Sequence, residues 1–182
     1  ARYIRAAIDS VLAQEQADFE LLISDNASTD SSWEVITGYT GDDRVQAKQN
    51  EENLGFAPNI DQAVSMGDAE SVMVLSSDDM LGSTTLSTYA RLLEETRGRD
   101  IVVFGTTEMV GSDGESIRTL QADESIWADA QPDSRLSSAT GYRVRTMRGS
   151  DLLRRSILEM KNPLTWTSTC FPRRLWKRVG GF

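Results

Sequence analysis

The sequence predicts an α/β fold with a Rossmann-like, mostly parallel sheet flanked by helices. Three observations predict it. Short apolar runs, F-E-L-L-I at 19–23 and V-M-V-L at 72–75, alternate with stretches of helical spacing. Each of these runs gives way at once to small polar residues and acids, S-D-N-A-S-T-D and S-S-D-D. In an open α/β sheet ligands lie beyond the carboxyl ends of the strands, so these two places are where a site belongs. Finally, 182 residues with 39% hydrophobic and 26% charged content describe one ordinary globular domain, long enough for a single core.

Taken in order, Ile4, Ile8, Val11 and Leu12 recur at helical spacing, so a helix opens the chain. An α/β domain ordinarily starts with a strand feeding such a helix, and a strand before Ala1 is therefore expected to be missing from the sequence. Phe19 to Ile23 is the next strand. Its loop, Ser24 to Asp30, leads into a helix through Trp33, Val35, Ile36 and Tyr39, capped by Asp30 or Ser31. Capping is the better reading of Asp30. Asp25, directly after a buried strand, suits a ligand contact instead. Val45 to Gln49 is a short strand near an edge. Asn53-Leu54-Gly55 is a turn with Gly55 at positive φ, and Pro58 starts a helix through Ile60, Ala63, Val64 and Met66 that Gly67 ends.

After the strand at 72–75 come Ser76, Ser77, Asp78 and Asp79, then a helix capped by Thr84 or Thr85 and carried by Leu86, Tyr89, Ala90, Leu92 and Leu93. Two carboxylates at a strand end can hold a hard cation, and the cation can hold phosphates. Taken alone, the pair is equally well explained by a solvated turn with a helix-capping Asp. Ile101 to Val110 reads as a further strand. Gly111-Ser112-Asp113-Gly114 is a strong turn, with Ser116 to Leu120 returning as its hairpin partner. Residues 122–141, polar and rich in Ala, Asp and Ser, read as a long mobile loop of the kind that closes over sites. Gly149 to Met160 is a helix and Trp166 to Phe171 a short strand. Pro172 opens a last helix, Arg173 to Val179, which Gly180-Gly181 stops.

Composition excludes several chemistries. With no histidine, His-based acid/base catalysis and His-ligated zinc are ruled out within these residues. Any metal must rest on carboxylates, which points to Mg²⁺ or Mn²⁺. The single cysteine, Cys170, excludes an internal disulfide and fits a reducing compartment, so a cytoplasmic location is expected. No run is long enough to span a bilayer and no signal peptide is recognisable. The net charge of −9 is unevenly placed. Residues 1–134 hold 8 Lys+Arg against 26 Asp+Glu, while residues 135–182 hold 11 against 2. An acidic body with a basic end is not a nucleic-acid binder's pattern. The basic end could meet phosphates, an anionic acceptor or the inner face of a membrane as a peripheral contact. Equally, it could face the acidic half of its own fold.

Several segments, in order, resemble family 2 glycosyltransferases of the GT-A fold. R-Y-I-R-A-A-I-D-S-V-L-A-Q is similar to that family's first helix, and F-E-L-L-I-S-D-N-A-S-T-D to its nucleotide-binding strand and loop. N-L-G-F-A-P-N resembles its N-x-G segment. L-S-S-D-D-M-L matches a common form of its D-x-D metal motif, with a serine at the first position. F-P-R-R-L-W-K-R-V-G-G-F resembles the segment that precedes the acceptor site. The resemblance implies a nucleotide-sugar donor such as a UDP-sugar, a divalent cation (Mg²⁺ or Mn²⁺), inversion at the anomeric carbon, and a glycan or lipid-linked acceptor. By position it implies that Asp25 bonds the donor's base or ribose, with Asn26 and Asn53 beside it. Asp78 would lie near the ribose and diphosphate, and Asp79 would bind the metal. It divides the domain into a nucleotide-sugar-binding part, residues 1–110, and an acceptor-side part, residues 111–182. The family's catalytic base follows the G-G-F segment, so it is expected after Phe182. Residues 1–182 are therefore expected to carry no catalytic residue and to be inactive by themselves. The alternative is a non-catalytic GT-A-like module that binds nucleotide or serves assembly.

Overall fold

The structure is a computed structural model that describes residues 1–15, 18–111, 114–120, 130–152 and 169–181. Helix α1, Ile4–Leu12, buries Ala7, Ile8 and Val11 along one stripe. Each fully buried Ile or Val contributes about 1.5–3 kcal/mol, so this stripe is what docks the helix. Strand β1, Leu21–Asp25, runs parallel to β2, Val45–Gln49, from Leu21↔Val45 to Asp25↔Gln49. Helix α2, Ser32–Thr37, crosses between them and buries Ile36.

β2 falls where the sequence puts it, but β1 starts two residues later than expected. Its first ladder bond runs from the Leu21 N–H to the Arg44 carbonyl, and Phe19 lies outside the ladder with the Arg44 guanidinium over its ring at 5.2 Å. The shift makes Asp25 the last residue of the strand rather than the second of the loop expected from Ser24. α2 ends at Thr37, short of Tyr39, whose hydroxyl instead donates to Asp9 on α1 at 2.6 Å. Asp30 accepts from the Ser32 N–H at 2.9 Å, but it stands one residue ahead of the N-cap, Ser31, which makes no side-chain capping bond.

Gly55 has φ 86, and helix α3, Phe56–Ser65, starts directly after it, so Pro58 is its third residue rather than its first. Strand β3, Ser71–Val74, is antiparallel to β8, Thr169–Pro172, with Val72 opposite Phe171 and Met73 opposite Cys170. Helix α4, Thr85–Glu95, follows, with Thr84 at its N-cap.

The expected strand over 101–110 is only partly formed. Val103 makes an isolated bridge to Cys170, exchanging bonds of 2.8 and 2.7 Å, and a regular strand, β4, covers only Thr107–Val110. β4 pairs with β5, Ser116–Leu120, as the predicted antiparallel hairpin, with a register shift between Met109 and Val110.

Residues 130–141 are not the loop that their polarity suggested. They form β6, Gln131–Pro132, and helix α5, Ser134–Thr140; β6 pairs with β7, Arg145–Thr146. Asp133 caps α5 by accepting from the Leu136 N–H at 3.0 Å, and Gly141, at φ 77, ends it. The apolar signal is thin because this short helix buries only Leu136 and Thr140. Residues 122–129 of that expected loop lie outside the described residues. So does most of the helix expected over 149–160, which is described for residues 149–152, and the start of the strand expected over 166–171. The last helix, α6, Arg173–Val179, forms behind Pro172 and stops at Gly180 with φ 90.

A core of Tyr89, Leu92, Leu136 and Cys170, with Met73, Leu93, Val103 and Val144 against it, joins α4, α5, β3 and β8. Burial there pushes the Cys170 thiol up to about 12. Arg173 is buried too. Its guanidinium donates to the Ala69 carbonyl at 2.6 Å and to the Val64 carbonyl, fastening α6 to the end of α3. The basic end of the chain meets the protein's own acids. Arg174 and Arg178 both donate to Asp100, at 2.9 and 2.6 Å, and Arg135 donates to Glu95.

The expectation of strands 19–23, 45–49, 72–75 and 101–110 in one continuous, mostly parallel sheet needs correction. Among the described residues β1–β2 is the one parallel pair, β3–β8 is antiparallel, and no ladder joins β1 to β3. An open slot separates those two strands. No described helix is long and apolar enough to cross a membrane.

Candidate functional site

The carboxyl ends of β1 and β3 open on one cleft of about 800 Å³. Asp25, Asn26, Ser76, Ser77 and Asp78 line it together; Asn53 and Asp79 stand outside its lining. Two segments about fifty residues apart in sequence thus meet where an α/β sheet binds its ligands.

Asp25 is 5% exposed, unusually low for a carboxylate. Its Oδ2 accepts from Gln49 Nε2 at 3.0 Å and from the Ser28 N–H at 3.2 Å. Among the described residues its Oδ1 has no donor. A buried acceptor at the wall of a cleft, without a protein partner, is suited to a ligand's N–H or hydroxyl. The loop beyond is held tightly. Ala27 adopts φ 59, a left-handed conformation uncommon for a residue other than glycine and frequent at ligand clamps.

A buried polar network backs Asp25. Asn59, on α3, donates to the Ser24 carbonyl at 3.1 Å and accepts from Ser24 Oγ at 2.7 Å and from Asn50 Nδ2 at 2.9 Å. The Asn50 N–H closes on the Asp25 carbonyl at 2.9 Å. Asn26 is engaged with the N-L-G turn. It donates to Asn53 Oδ1 at 2.8 Å and to the Gly55 carbonyl at 3.2 Å, and accepts from the Leu54 N–H at 2.8 Å. Both asparagines predicted to contact a donor therefore also shape the rim, each through the other.

Across the cleft, Asp78 is exposed and Asp79 half-buried. Burial raises the Asp79 carboxyl above the usual range, and the charge on Asp78 raises it further, against an opposing hydrogen bond from Ser76. An added cation would relieve both raising effects. Among the described residues no three acidic or cysteine side chains gather as a closed metal cage. A pair of hard carboxylate donors instead fits Mg²⁺ or Mn²⁺, which commonly take one or two carboxylates and complete their shell with substrate phosphates and water. The loop after the acids is anchored from α1. The Leu81 N–H donates to Ser10 Oγ at 3.0 Å. Buried Gln14 receives the Leu86 N–H at 3.0 Å and donates to the Gly82 carbonyl at 2.8 Å.

Sequence reasoning missed Ser10, Gln14, Gln49, Asn50 and Asn59. Asn59 closes the quoted N-L-G-F-A-P-N segment, and Ser10 and Gln14 fall within R-Y-I-R-A-A-I-D-S-V-L-A-Q, while Gln49 and Asn50 are single polar residues in no quoted segment.

The model of the family described as Glycosyl transferase family 2 matches residues 1–159. A putative glycosyltransferase of Bacillus subtilis, EpsE, is 26% identical over 164 residues, covering 85% of this chain and 58% of the relative. An uncharacterised glycosyltransferase of Nostoc is 41% identical over 81 residues, 40% of this chain and 25% of the relative. Among solved structures, Staphylococcus aureus TarS residues 1–349 in complex with UDP-GlcNAc superposes with TM-score 0.65 at 20% identity, covering 98% of this chain and 44% of that one. A mannosyltransferase of Pyrobaculum calidifontis in complex with GDP-Man and Mn²⁺ gives 0.58 at 18% identity, covering 100% of this chain and 44% of that one. At such identities the superpositions speak for the α/β GT-A fold. The chain spans less than two thirds of each of these proteins.

Proposed function

The chain belongs to glycosyltransferase family 2, and from that premise we propose that it forms the donor-binding part of an enzyme moving a sugar from a nucleoside diphosphate to an acceptor, assisted by Mg²⁺ or Mn²⁺. The observation that carries this reading is Asp25, a buried carboxylate with one oxygen held by Gln49 and Ser28 and the other left for a ligand, in the same cleft as Asp78. Asp25 takes a hydrogen bond from the base or ribose. Asn26 and Asn53 set the rim against which the nucleoside rests. Asp78 lies toward the ribose and diphosphate, and Asp79 is the metal's carboxylate. A bound divalent cation offsets the negative charge that develops on a departing diphosphate. The sugar is inverted and passed to a glycan or lipid-linked hydroxyl.

Two observations on relatives support the donor class. TarS is solved with UDP-GlcNAc and with UDP, and the mannosyltransferase with GDP-Man and Mn²⁺. Calorimetric titration with UDP and GDP, each with and without Mn²⁺, tests the reading. Binding of one nucleotide only with the cation, weakened about tenfold or more by Asp25→Asn with the fold intact, is the expected result; losing the hydrogen bonds of a buried carboxylate costs at least that much. Binding that ignores both the cation and Asp25 would overturn it.

A further inference from the structure

Four arginines of the basic end are committed within the fold: Arg135 to Glu95, Arg173 to backbone carbonyls, and Arg174 and Arg178 to Asp100. The segment Tyr142–Arg148, Y-R-V-R-T-M-R, behaves differently. It carries three arginines, and no acid occurs from Leu136 to Ser150. All three arginines are exposed. Among the described residues the guanidinium groups of Arg143 and Arg148 meet neither an acid nor a carbonyl, although the body of the protein is rich in acids. The backbone that carries them is fixed. Gly141 turns the chain at φ 77, and the Tyr142 N–H donates to Thr140 Oγ1 at 3.3 Å. Val144 packs against the core; its N–H donates to Ser137 Oγ at 2.9 Å and its carbonyl accepts from the Asp133 N–H at 3.0 Å. Side chains alternate along an extended stretch, so with Val144 turned inward Arg143 and Arg145 turn outward together, about 7 Å apart.

The segment also has a definite place. The Tyr142 hydroxyl lies 3.3 Å from Thr84 Oγ1. Thr84 caps the start of α4 and ends the loop that begins at the acid pair, and Leu81 of that loop lines the cleft. The arginines therefore stand on the Asp78–Asp79 side of the cleft, across from Asp25. Tyr142 is 56% exposed, which leaves its ring open beside them.

We propose that Tyr142, Arg143 and Arg148 form an outer subsite for an acceptor that is itself anionic, a glycan carrying sulfate, phosphate or carboxylate groups. The inference rests on the sugar-transfer reading and deepens it, since it names the charge of the acceptor. Residues 1–134 hold 8 Lys+Arg against 26 Asp+Glu, so an anionic chain is repelled over most of the surface. A local cationic track beside the acid pair reverses that repulsion where the acceptor must arrive, and so orients it. Guanidinium groups match the paired oxygens of sulfate, phosphate or carboxylate, and a fixed backbone lowers the entropy lost on binding. The open face of Tyr142 offers an apolar platform to the C–H face of a sugar ring. An anionic bilayer suits the segment less well. Juxtamembrane basic clusters run to about four to eight Lys and Arg, and here three adjoin a strongly acidic body.

The test is calorimetric titration of the chain at low salt with maltohexaose, with sulfated maltohexaose, and with vesicles of phosphatidylcholine and phosphatidylglycerol in equal parts. The sulfated oligosaccharide is expected to bind, with slower amide exchange over residues 142–148, and the neutral one not to bind. Arg143→Gln with Arg148→Gln should weaken that binding by about fivefold or more. Lys48→Gln with Lys177→Gln, two exposed lysines elsewhere, removes the same charge and should weaken it less than about twofold. Equal losses in the two double variants would overturn the proposal in favour of diffuse charge. Displacement of the sulfated oligosaccharide by UDP and Mn²⁺ would overturn it by placing the anion in the donor cleft. Binding to vesicles through the two arginines, without binding to the sulfated oligosaccharide, would overturn it in favour of a membrane. A parallel titration with UDP or GDP and Mn²⁺ separates the two readings. Nucleotide binding without sulfated-oligosaccharide binding overturns this inference alone, whereas the reverse overturns the sugar-transfer reading and leaves the anion site standing.

Discussion

Asn26 and Asn53 grip each other across the rim of the cleft, the Asn26 amide donating to Asn53 Oδ1 at 2.8 Å while that same oxygen also receives the Gly55 N–H at 2.9 Å. One side chain on the loop after β1 thereby fixes a turn almost thirty residues further on. Asn26→Ala removes three hydrogen bonds at an exposed site, and a loss of about 1–2 kcal/mol of stability is expected. The diagnostic readout is local. Amide exchange at Leu54 and Gly55 should accelerate while that of α4 is unchanged, as urea unfolding and exchange together can establish.

Asn59 is the hub behind Asp25. Asn59→Ala leaves Ser24 Oγ without its acceptor and the buried Asn50 amide with only its 3.4 Å bond to Ser24 Oγ, and a loss of about 2–3 kcal/mol is expected. Asn59→Asp, which retains the acceptor but not the donor to the Ser24 carbonyl, should cost less at neutral pH. Equal losses in equilibrium unfolding would show that the acceptor is not what matters.

Asp79 should show opposite effects on binding and on stability. Its carboxyl titrates above the usual range, through burial first and Asp78 second. A raised folded value means that the contribution to stability is present below the ordinary carboxylate range and is lost as pH rises through the raised value. At pH 7 the ionised group is therefore a burden on the fold. Asp79→Asn is expected to leave metal-free Tm equal or higher, and to abolish Mn²⁺-dependent UDP or GDP binding. Retained cation dependence in the variant would remove Asp79 from the metal site.

Asp100 has the opposite sign. Hydrogen bonds from Arg178 first, then Arg174, hold its carboxyl below the ordinary range. Its contribution is present above the unfolded value and disappears as pH falls through the lowered one. Asp100→Asn should loosen α6 at pH 7, seen as faster amide exchange in residues 174–179, and the difference from the parent should vanish in strong acid. A difference that persists there would assign the effect to packing.

What was legible in the sequence were the elements with strong local signals. Val45–Gln49 and the Asn53-Leu54-Gly55 turn fall where alternation and glycine chemistry put them. The hairpin around Gly111 and Gly114 and the helix behind Pro172 form as read. Asp25 and Asp78 do share a cleft, because the carboxyl ends of both apolar runs open on it. What was not legible depends on long-range partners. β1 slides two residues because Arg44, not the apolar run, sets its first ladder bond. α5 looked like loop because its caps, Asp133 and Gly141, were outweighed by a polar surround. The Ser24–Asn50–Asn59 network joins residues up to 35 apart that carry no periodic mark. The open question about the basic end is answered in part by Asp100, Glu70 and Glu95, which meet Arg174, Arg178 and Arg135.

Ser10 and Gln14, near the carboxyl end of α1, hold the backbone of Leu81, Gly82 and Leu86 across 68 to 72 positions of sequence. The acid pair therefore has remote custodians. A substitution such as Gln14→Leu keeps both carboxylates and preserves helical spacing, yet removes the acceptor of the first turn of α4 and one tether of the loop that follows Asp79. In any screen of variants for cation affinity, the tenth and fourteenth residues belong in the same group as the seventy-eighth and seventy-ninth.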